Sequence, residues 1–488
     1  MKKNRNLKSI SLVLVIFLLP FTDFIKNNIN EIDIILGKSF FSLIFTVFFI
    51  IFILAHVINF FFRTKDFSKI FLIITIMYWL MFKHNFLNIG IKAFFNNFLL
   101  LEFEYISEIS LLILIILSIY SSVLIYKNSV FFKKFIFVFF YLSFFVSLFQ
   151  IFSFNQKLNI DESSEINTVS FPDKLNIKKE NIYFFILDGM QPIREFEKHY
   201  KYSQKDFLNN IANNNYIYIH NTVNIYDNTT HSLSAFFYLD KVFDEKNKLN
   251  KKTKTLYPSL MRKNIKTDLL DNLDKLGYDF KWLGNFFAYC PKFNLKYCLN
   301  KKKDKNTIID TYLLINFLGQ TPLIQAIIKF GYIFNFDFDK HFFYDLNNGI
   351  GRLTNYLKKS HKIDKPTFYF VHHMSPHWPY ITNTDCSYKK YPGDKNFEGY
   401  ESAYICTLKK IQETIKFLNK FDPNSTVVFQ SDHNWVMSKN KQEKKMIFNL
   451  IKINNNCTID SDINLNNVNT LRLIFSCMTG NEAQYINN

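Results

Sequence analysis

Five apolar stretches, at about 9–25, 39–62, 69–86, 108–126 and 134–153, crowd into the first third of this 488-residue chain. Each is close to the ~20 residues that an α-helix needs to cross a hydrocarbon core. A chain with this opening cannot fold as one water-soluble body. Past about residue 153 the long apolar stretches stop and Lys, Asn and Asp become frequent, so the sequence predicts a membrane part over 1–153, a linker over 154–177 and a soluble part over 178–488. The third stretch is the weakest span, and the segment at 83–105, interrupted by Asn and Lys, reads as an interfacial helix.

Basic residues alternate between the loops. Lys2, Lys3, Arg5 and Lys8 precede the first stretch, Arg63, Lys65 and Lys69 follow the second, and Lys127, Lys133 and Lys134 follow the fourth. With five spans, this bias puts the N-terminus in the cytoplasm and the soluble part outside it, in a multi-pass protein of the cytoplasmic (inner) membrane. A cleaved signal peptide at 1–22 is the rival for the first span, but no small-residue cleavage site precedes "FTDFIKNN".

The formal net charge of +18 raises the question of nucleic acid. Only six of the 59 basic residues are Arg, and Lys is scattered among Asn, Ile and Phe. No nucleic-acid motif accompanies the charge, and nucleic acid is set aside as a partner.

All six cysteines, at 290, 298, 386, 406, 457 and 477, fall in the soluble part. An even number on one side of a membrane points to disulfides in an oxidising compartment. Sequential pairing, Cys290–Cys298, Cys386–Cys406 and Cys457–Cys477, encloses three short loops. No CxxC pair supports a zinc-thiolate site.

From about 178 short apolar runs alternate with helical patterns. "NIYFFILDGM" (181–190), "YIYIHNTV" (216–223), "YDFKWLG" (278–284), "PTFYFVHHM" (366–374), "STVVFQSDH" (425–433) and "MIFNLIKI" (446–453) read as strands. Helices are expected over 259–277 and 400–421. The pattern predicts an α/β domain whose central sheet lies between helices. In such sheets ligands gather beyond the carboxyl ends of the strands. Asp188 ends the first run, His372, His373 and His377 follow the fourth, and Asp432 and His433 follow the fifth. Oxygen and nitrogen ligands of this kind suit Zn²⁺ or Mn²⁺. Trp282, Asn285, Trp378 and Tyr380 are either cleft residues or core.

"IYDNTTHSLSAFFYL" (225–239) places two threonines before a helical run. Thr, Asn and Asp in this position are what a plain N-cap requires. The stretch by itself leaves open whether either threonine does more.

Taken in order behind a membrane-helix bundle, "NIYFFILDGM", "YDNTTHSL", "VHHMSPHWPY" and "QSDHN" resemble the sulfatase-like membrane enzymes of the alkaline phosphatase superfamily. Lipoteichoic acid synthases and lipid A phosphoethanolamine transferases are membrane-anchored members. The resemblance covers about 178 to 480 and implies that Asp188, Thr229, Asp432 and His433 hold one divalent ion, Mn²⁺ or Zn²⁺ with Mg²⁺ as the alternative. It implies that Thr229 attacks phosphorus and that His377, with His372 less firmly, contacts the phosphoryl group. The spacing Tyr226, Thr229, Ser232, Leu233 selects Thr229 over Thr230. Asn434 stands where Gly usually follows the late His. One acidic residue at the first strand argues for a single ion, and the Cys/Ser-x-Pro-x-Arg sequence of sulfatases is absent.

The function that follows as an expectation is a metal-dependent transferase. It would move a phosphoglycerol or phosphoethanolamine head group from a phospholipid to an envelope glycan or lipid through a phospho-threonine. A phosphodiesterase or sulfatase-type hydrolase, and a non-catalytic envelope scaffold, are the alternatives.

Overall fold

A computed structural model describes residues 2–28, 38–63, 66–94, 106–127, 130–157, 180–285, 298–299, 317–322, 347–359, 365–389, 397–435 and 443–487, with short breaks after 200, 244, 250 and 454, together with Ala288 and Tyr344. The chain divides into two compact units, one of Met1–Ser164 with Lys303–Phe336, the other of Glu165–Lys302 with Asp337–Asn488. Residues 158–177 of the expected linker, and Cys290, lie outside the described residues.

The first unit is helical: α1 Lys2–Asn27, α2 Lys38–Phe62, α3 Phe67–Met81, α4 His84–Phe94, α5 Ile106–Tyr126 and α6 Val130–Lys157. Four of them, α1, α2, α5 and α6, are long and apolar enough to cross a membrane. The pair α3 and α4 bends by 50° and makes a fifth crossing only if it counts as one span. At 15 residues, α3 is about 22 Å long by itself, short of a ~30 Å hydrocarbon core. The bend is tied down by charge, because Lys83 at the break pairs with Asp23 of α1 at 2.7 Å and Ser147 of α6 donates to the other Asp23 oxygen at 3.2 Å. Phe45, Phe49, Phe60, Phe131 and Phe149 project outward uncovered, as a lipid-facing surface does. Phe317 belongs to this unit and is fully buried, its ring stacked 4.4 Å from that of Phe21.

The second unit is built on a six-stranded mixed sheet of order β2-β7-β6-β1-β5-β4. The strands are β1 Ile182–Leu187, β2 Ile217–Tyr218, β4 Asp279–Leu283, β5 Thr367–His373, β6 Thr426–Ser431 and β7 Asn449–Lys452. β1 runs parallel to both neighbours, and β7 is antiparallel to β6 and to β2. Every residue of β1, β5 and β6 is buried, which explains why they read as unbroken apolar runs rather than alternating ones.

Alternation reappears in what each side chain touches. Ile182, Phe184 and Ile186 of β1 pack with α9 Thr229–Tyr238, α11 Asp268–Lys275 and α14 Asn469–Thr479. Tyr183, Phe185 and Leu187 pack with α7 Ile193–Tyr200, α8 Lys205–Asn213, α12 Gly349–Lys359 and α13 Phe397–Phe421. Helices therefore cover both faces.

Two sequence expectations are corrected. The run 216–223 is two strands, since β2 joins the main sheet while β3 Asn221–Val223 pairs in parallel with β8 Asn464–Asn466 in a separate ribbon. The helix expected over 259–277 is α10 Ser259–Arg262 and α11, interrupted where Asn264 takes a left-handed φ of 49°.

Two bridges are present as expected, Cys386–Cys406 and Cys457–Cys477, with Cα separations of 4.9 and 5.6 Å. The first ties the loop after β5 to α13.

Candidate metal centre and active site

The register of the three central strands assembles the site. Leu187, His373 and Ser431 are paired across β1, β5 and β6. Asp188 and Asp432 are each the next residue of their strand, so both carboxylates emerge at the same end of the sheet. Asp188 is followed by Gly189 at φ +69°, a left-handed turn that L side chains adopt at a cost. This turn brings the Gly189 N–H to 3.2 Å from Asp432 Oδ1, which also accepts from the His433 N–H at 2.9 Å.

Asp188, Asp432 and His372 are buried, and one ligand atom of each lies within 4.8 Å of the others. His372 Nε2 is 3.1 Å from Asp188 Oδ2, and its Nδ1 is 3.2 Å from the Tyr257 hydroxyl. His433 Nε2 lies 3.4 Å from Asp188 Oδ1 and 3.7 Å from Asp432 Oδ2. Its Nδ1 donates to the Asn434 carbonyl at 2.8 Å, which commits Nε2 to the centre, the arrangement of a metal-ligating imidazole.

Thr229 is the first residue of α9. The cap is Asn228, whose Oδ1 accepts from the His231 N–H at 2.9 Å. The Thr229 hydroxyl is thereby spared from capping, and lies 3.2 Å from His433 Nε2. Ser232 secures the turn by donating to the Tyr226 carbonyl at 2.7 Å. The helix starts at Thr229 itself, so the two threonines that read as preceding the helical run form its first turn.

His377 stands on the loop after β5, half-buried, with its ring 6.2 Å from that of His433. All six residues singled out in the sequence, Asp188, Thr229, His372, His377, Asp432 and His433, thus belong to one neighbourhood.

The electrostatics are those of a place awaiting positive charge. Burial raises the Asp188 carboxyl, but the His377 imidazole and the hydrogen bonds from His372 and His433 outweigh it and hold it well below the usual range. Asp432 is pushed up by burial and by the Asp188 charge. Burial lowers His433, and Asp432 and Asp188 more than reverse this, raising it to about 10. Asp188 Oδ1 and Asp432 Oδ2 are buried and meet the His433 Nε2 at 3.4 and 3.7 Å, outside good hydrogen-bond geometry. Two buried carboxylates whose oxygens are so weakly engaged fit a divalent cation.

Asn434 has a structural task. Its Nδ2 donates to the Glu443 and Met446 carbonyls at 2.5 and 2.7 Å, pinning the loop after β6. Trp282 and Tyr380 are core residues, Tyr380 taking a hydrogen bond from Trp435 at 3.1 Å, and Asn285 caps the Ala288 N–H at 2.7 Å. Trp378 is exposed beside His377. Sequence reasoning missed Asn228, which sits among three other polar residues able to cap, and Tyr257, which no motif marks.

No family model matches the chain, and no curated protein matches it. Solved structures do. The C-terminal periplasmic domain of EptC from Escherichia coli, a complex with Zn, aligns at 14% identity over 64% of this chain and 87% of that one, with a TM-score of 0.36. The corresponding domain of phosphoethanolamine transferase EptC from Campylobacter jejuni aligns at 14% over 64% and 97%, TM-score 0.36. A protein in the alkaline phosphatase superfamily from Vibrio parahaemolyticus aligns at 14% over 68% and 76%, TM-score 0.39. Two of these structures are thus EptC domains and the third is described as a protein of the alkaline phosphatase superfamily.

Proposed function

We propose that the protein is a membrane-anchored phospho-group transferase that takes a phosphoglycerol or phosphoethanolamine head group from a phospholipid and passes it to an envelope glycan or lipid. The observation that carries this reading is the Thr229 hydroxyl, freed from capping by Asn228 and held 3.2 Å from His433 Nε2 at the edge of a buried two-carboxylate centre.

Asp188, Thr229, Asp432 and His433 would hold one divalent ion. When bound, such an ion lowers the pKa of the threonine hydroxyl and offsets charge on the phosphoryl oxygens. The first N–H groups of α9 and the positive end of its dipole face the same region and favour an anion there. Thr229 Oγ1 forms a bond to phosphorus as the bond from phosphorus to the diacylglycerol oxygen breaks. The threonine proton passes to solvent, and His377 protonates the departing oxygen. An acceptor hydroxyl then attacks phosphorus, giving its proton to His377, as the bond from phosphorus to Thr229 Oγ1 breaks and that oxygen regains a proton from solvent. Apolar helices in the same chain support a lipid donor, because a phospholipid presents its phosphodiester at the bilayer surface.

The test uses purified full-length protein, Mn²⁺ or Zn²⁺, and phospholipid labelled in the head group. Label transferred to glycan or lipid acceptor, with phosphorylated Thr229 found by mass spectrometry, supports the reading. Label released only to water assigns a hydrolase, and no turnover with an intact metal centre sinks catalysis of this kind.

A further inference from the structure

Tyr257 is 1% exposed and its ring is enclosed by aromatic neighbours, stacked on Phe237 at 5.8 Å between centroids and edge-on to Trp282 and Phe370 at 6.4 and 6.2 Å. A phenylalanine would fill the same space, and a buried hydroxyl is costly unless it is bonded. The hydroxyl is met by His372, whose Nδ1 lies 3.2 Å away, while His372 Nε2 lies 3.1 Å from Asp188 Oδ2. The tyrosine is anchored at its other end too. Its backbone N–H donates to Ser234 Oγ at 2.7 Å, and Ser234 donates to the carbonyl of Thr230 at 2.5 Å, next to Thr229 on α9.

The groups themselves give these bonds a direction. Asp188 is ionised and can only accept, so the proton between it and His372 sits on Nε2. Beside a bound cation a second positive charge is repelled, which favours the neutral imidazole and leaves a lone pair at Nδ1. Burial pushes the Tyr257 phenol well up, so it keeps its proton and donates it to that lone pair. The Trp282 indole, a donor only, lies by the same oxygen outside hydrogen-bond geometry and cannot take the proton. A ring with its proton on Nε2 is a donor, to Asp188 and to a phosphoryl oxygen. It is not a ligand to the ion, although its nitrogen stands within 4.8 Å of both carboxylates.

We propose that Tyr257 is a positioning residue of the metal centre: its hydroxyl holds the His372 ring with Nε2–H on Asp188 Oδ2, leaving Asp188 Oδ1 for the ion, and its backbone ties that arrangement to the helix that begins at Thr229. The role rests on the metal centre proposed above and is independent of which group is transferred.

The test is a double-mutant cycle on full-length protein in detergent, with Mn²⁺ affinity measured by chelator competition for the unaltered chain, Tyr257→Phe, His372→Gln and the double variant. Tyr257→Phe keeps the ring and removes one oxygen, and is expected to weaken Mn²⁺ binding about tenfold. In the His372→Gln background the same change should weaken it less than about twofold, because the hydroxyl acts through the imidazole. Equal factors in the two backgrounds are the mark of a general loosening and overturn the proposal, as does an unchanged affinity in Tyr257→Phe alone. Where His372→Gln fails to fold, His372→Asn supplies the second background. In chelator, the losses of melting temperature from Tyr257→Phe and His372→Gln should not add, and additive losses overturn the contact. An unaltered chain that takes up neither Mn²⁺ nor Zn²⁺ overturns the metal centre itself and this role with it, which sets that failure apart from the others.

Discussion

Thr229 Oγ1 and His433 Nε2 lie 3.2 Å apart although 204 residues separate them in the chain. The contact exists because α9 begins one residue after Asn228 and because Nδ1 of His433 is occupied by the Asn434 carbonyl. Cap and proposed nucleophile are thus adjacent residues with separate tasks. Asn228→Ala should cost about 1 kcal/mol of stability and leave turnover within a few-fold. Thr229→Asn should stay folded and metal-bound while losing orders of magnitude in kcat, and Thr230→Asn should keep measurable turnover. Thermal melts and steady-state rates on the three variants decide it; an active Thr229→Asn protein would end the covalent mechanism.

Metal content should follow the carboxylates. Asp188→Asn and Asp432→Asn each remove a charge from the buried centre and are expected to lower bound Mn²⁺ or Zn²⁺ at least tenfold, about 1.4 kcal/mol or more of binding. His433→Gln should do the same. His372→Gln should retain more metal than His433→Gln, because His372 also engages the Tyr257 hydroxyl and is cast here as a contact to substrate. Elemental analysis of the purified variants measures this, and the reverse order would exchange the two histidines.

The pH dependence has a definite sign. In the metal-free protein His433 is raised to about 10 from 6.5, so the stability its imidazolium contributes is fully present below about 6.5 and is lost as pH rises through about 10. His433→Gln lacks that contribution. The difference in melting temperature between the chelated parent and His433→Gln should be widest near pH 6 and shrink toward about pH 10. Metal binding should run the other way, releasing the His433 proton and tightening as pH rises. A difference that does not change with pH would mean that His433 is neutral in the metal-free fold.

Sidedness depends on the bent pair. If α3 and α4 cross together, the number of spans is odd and the α/β unit lies opposite the N-terminus; if they re-enter, it lies on the same side. The basic loops favour the odd count. A phosphatase reporter fused after residue 160 should be active only outside the cytoplasm. Lys83→Leu with Asp23→Leu, which removes the pair at the bend, should leave that outcome unchanged.

Much of this was legible because strands buried on both faces leave a plain signature. "IYFFIL" followed by Asp-Gly marks both β1 and the carboxylate at its end, and "TVVFQS" followed by Asp-His does the same for β6. What was hidden depends on partners far away in sequence. The run 216–223 breaks because its two halves pair with residues near 450 and near 465. In "DNTT" four residues are each able to cap, and only the position of His433 tells which hydroxyl is left over. Phe317 has no local mark at all that would assign it to the helical unit.

The Cys386–Cys406 bridge has a bearing on when this site comes into being. Cys386 lies nine residues beyond His377 on the segment after β5, and the bridge fastens that segment to α13 one turn before Lys410. Thiols stay open in a reducing compartment. A chain in a reducing compartment keeps its two carboxylates, its threonine and the hydrogen bonds that join Ser375 to Ala403 and Thr407 of α13, but lacks the covalent tie at Cys386. Closure of the bridge is therefore a chemical postmark, the trace left on a molecule that has reached an oxidising space.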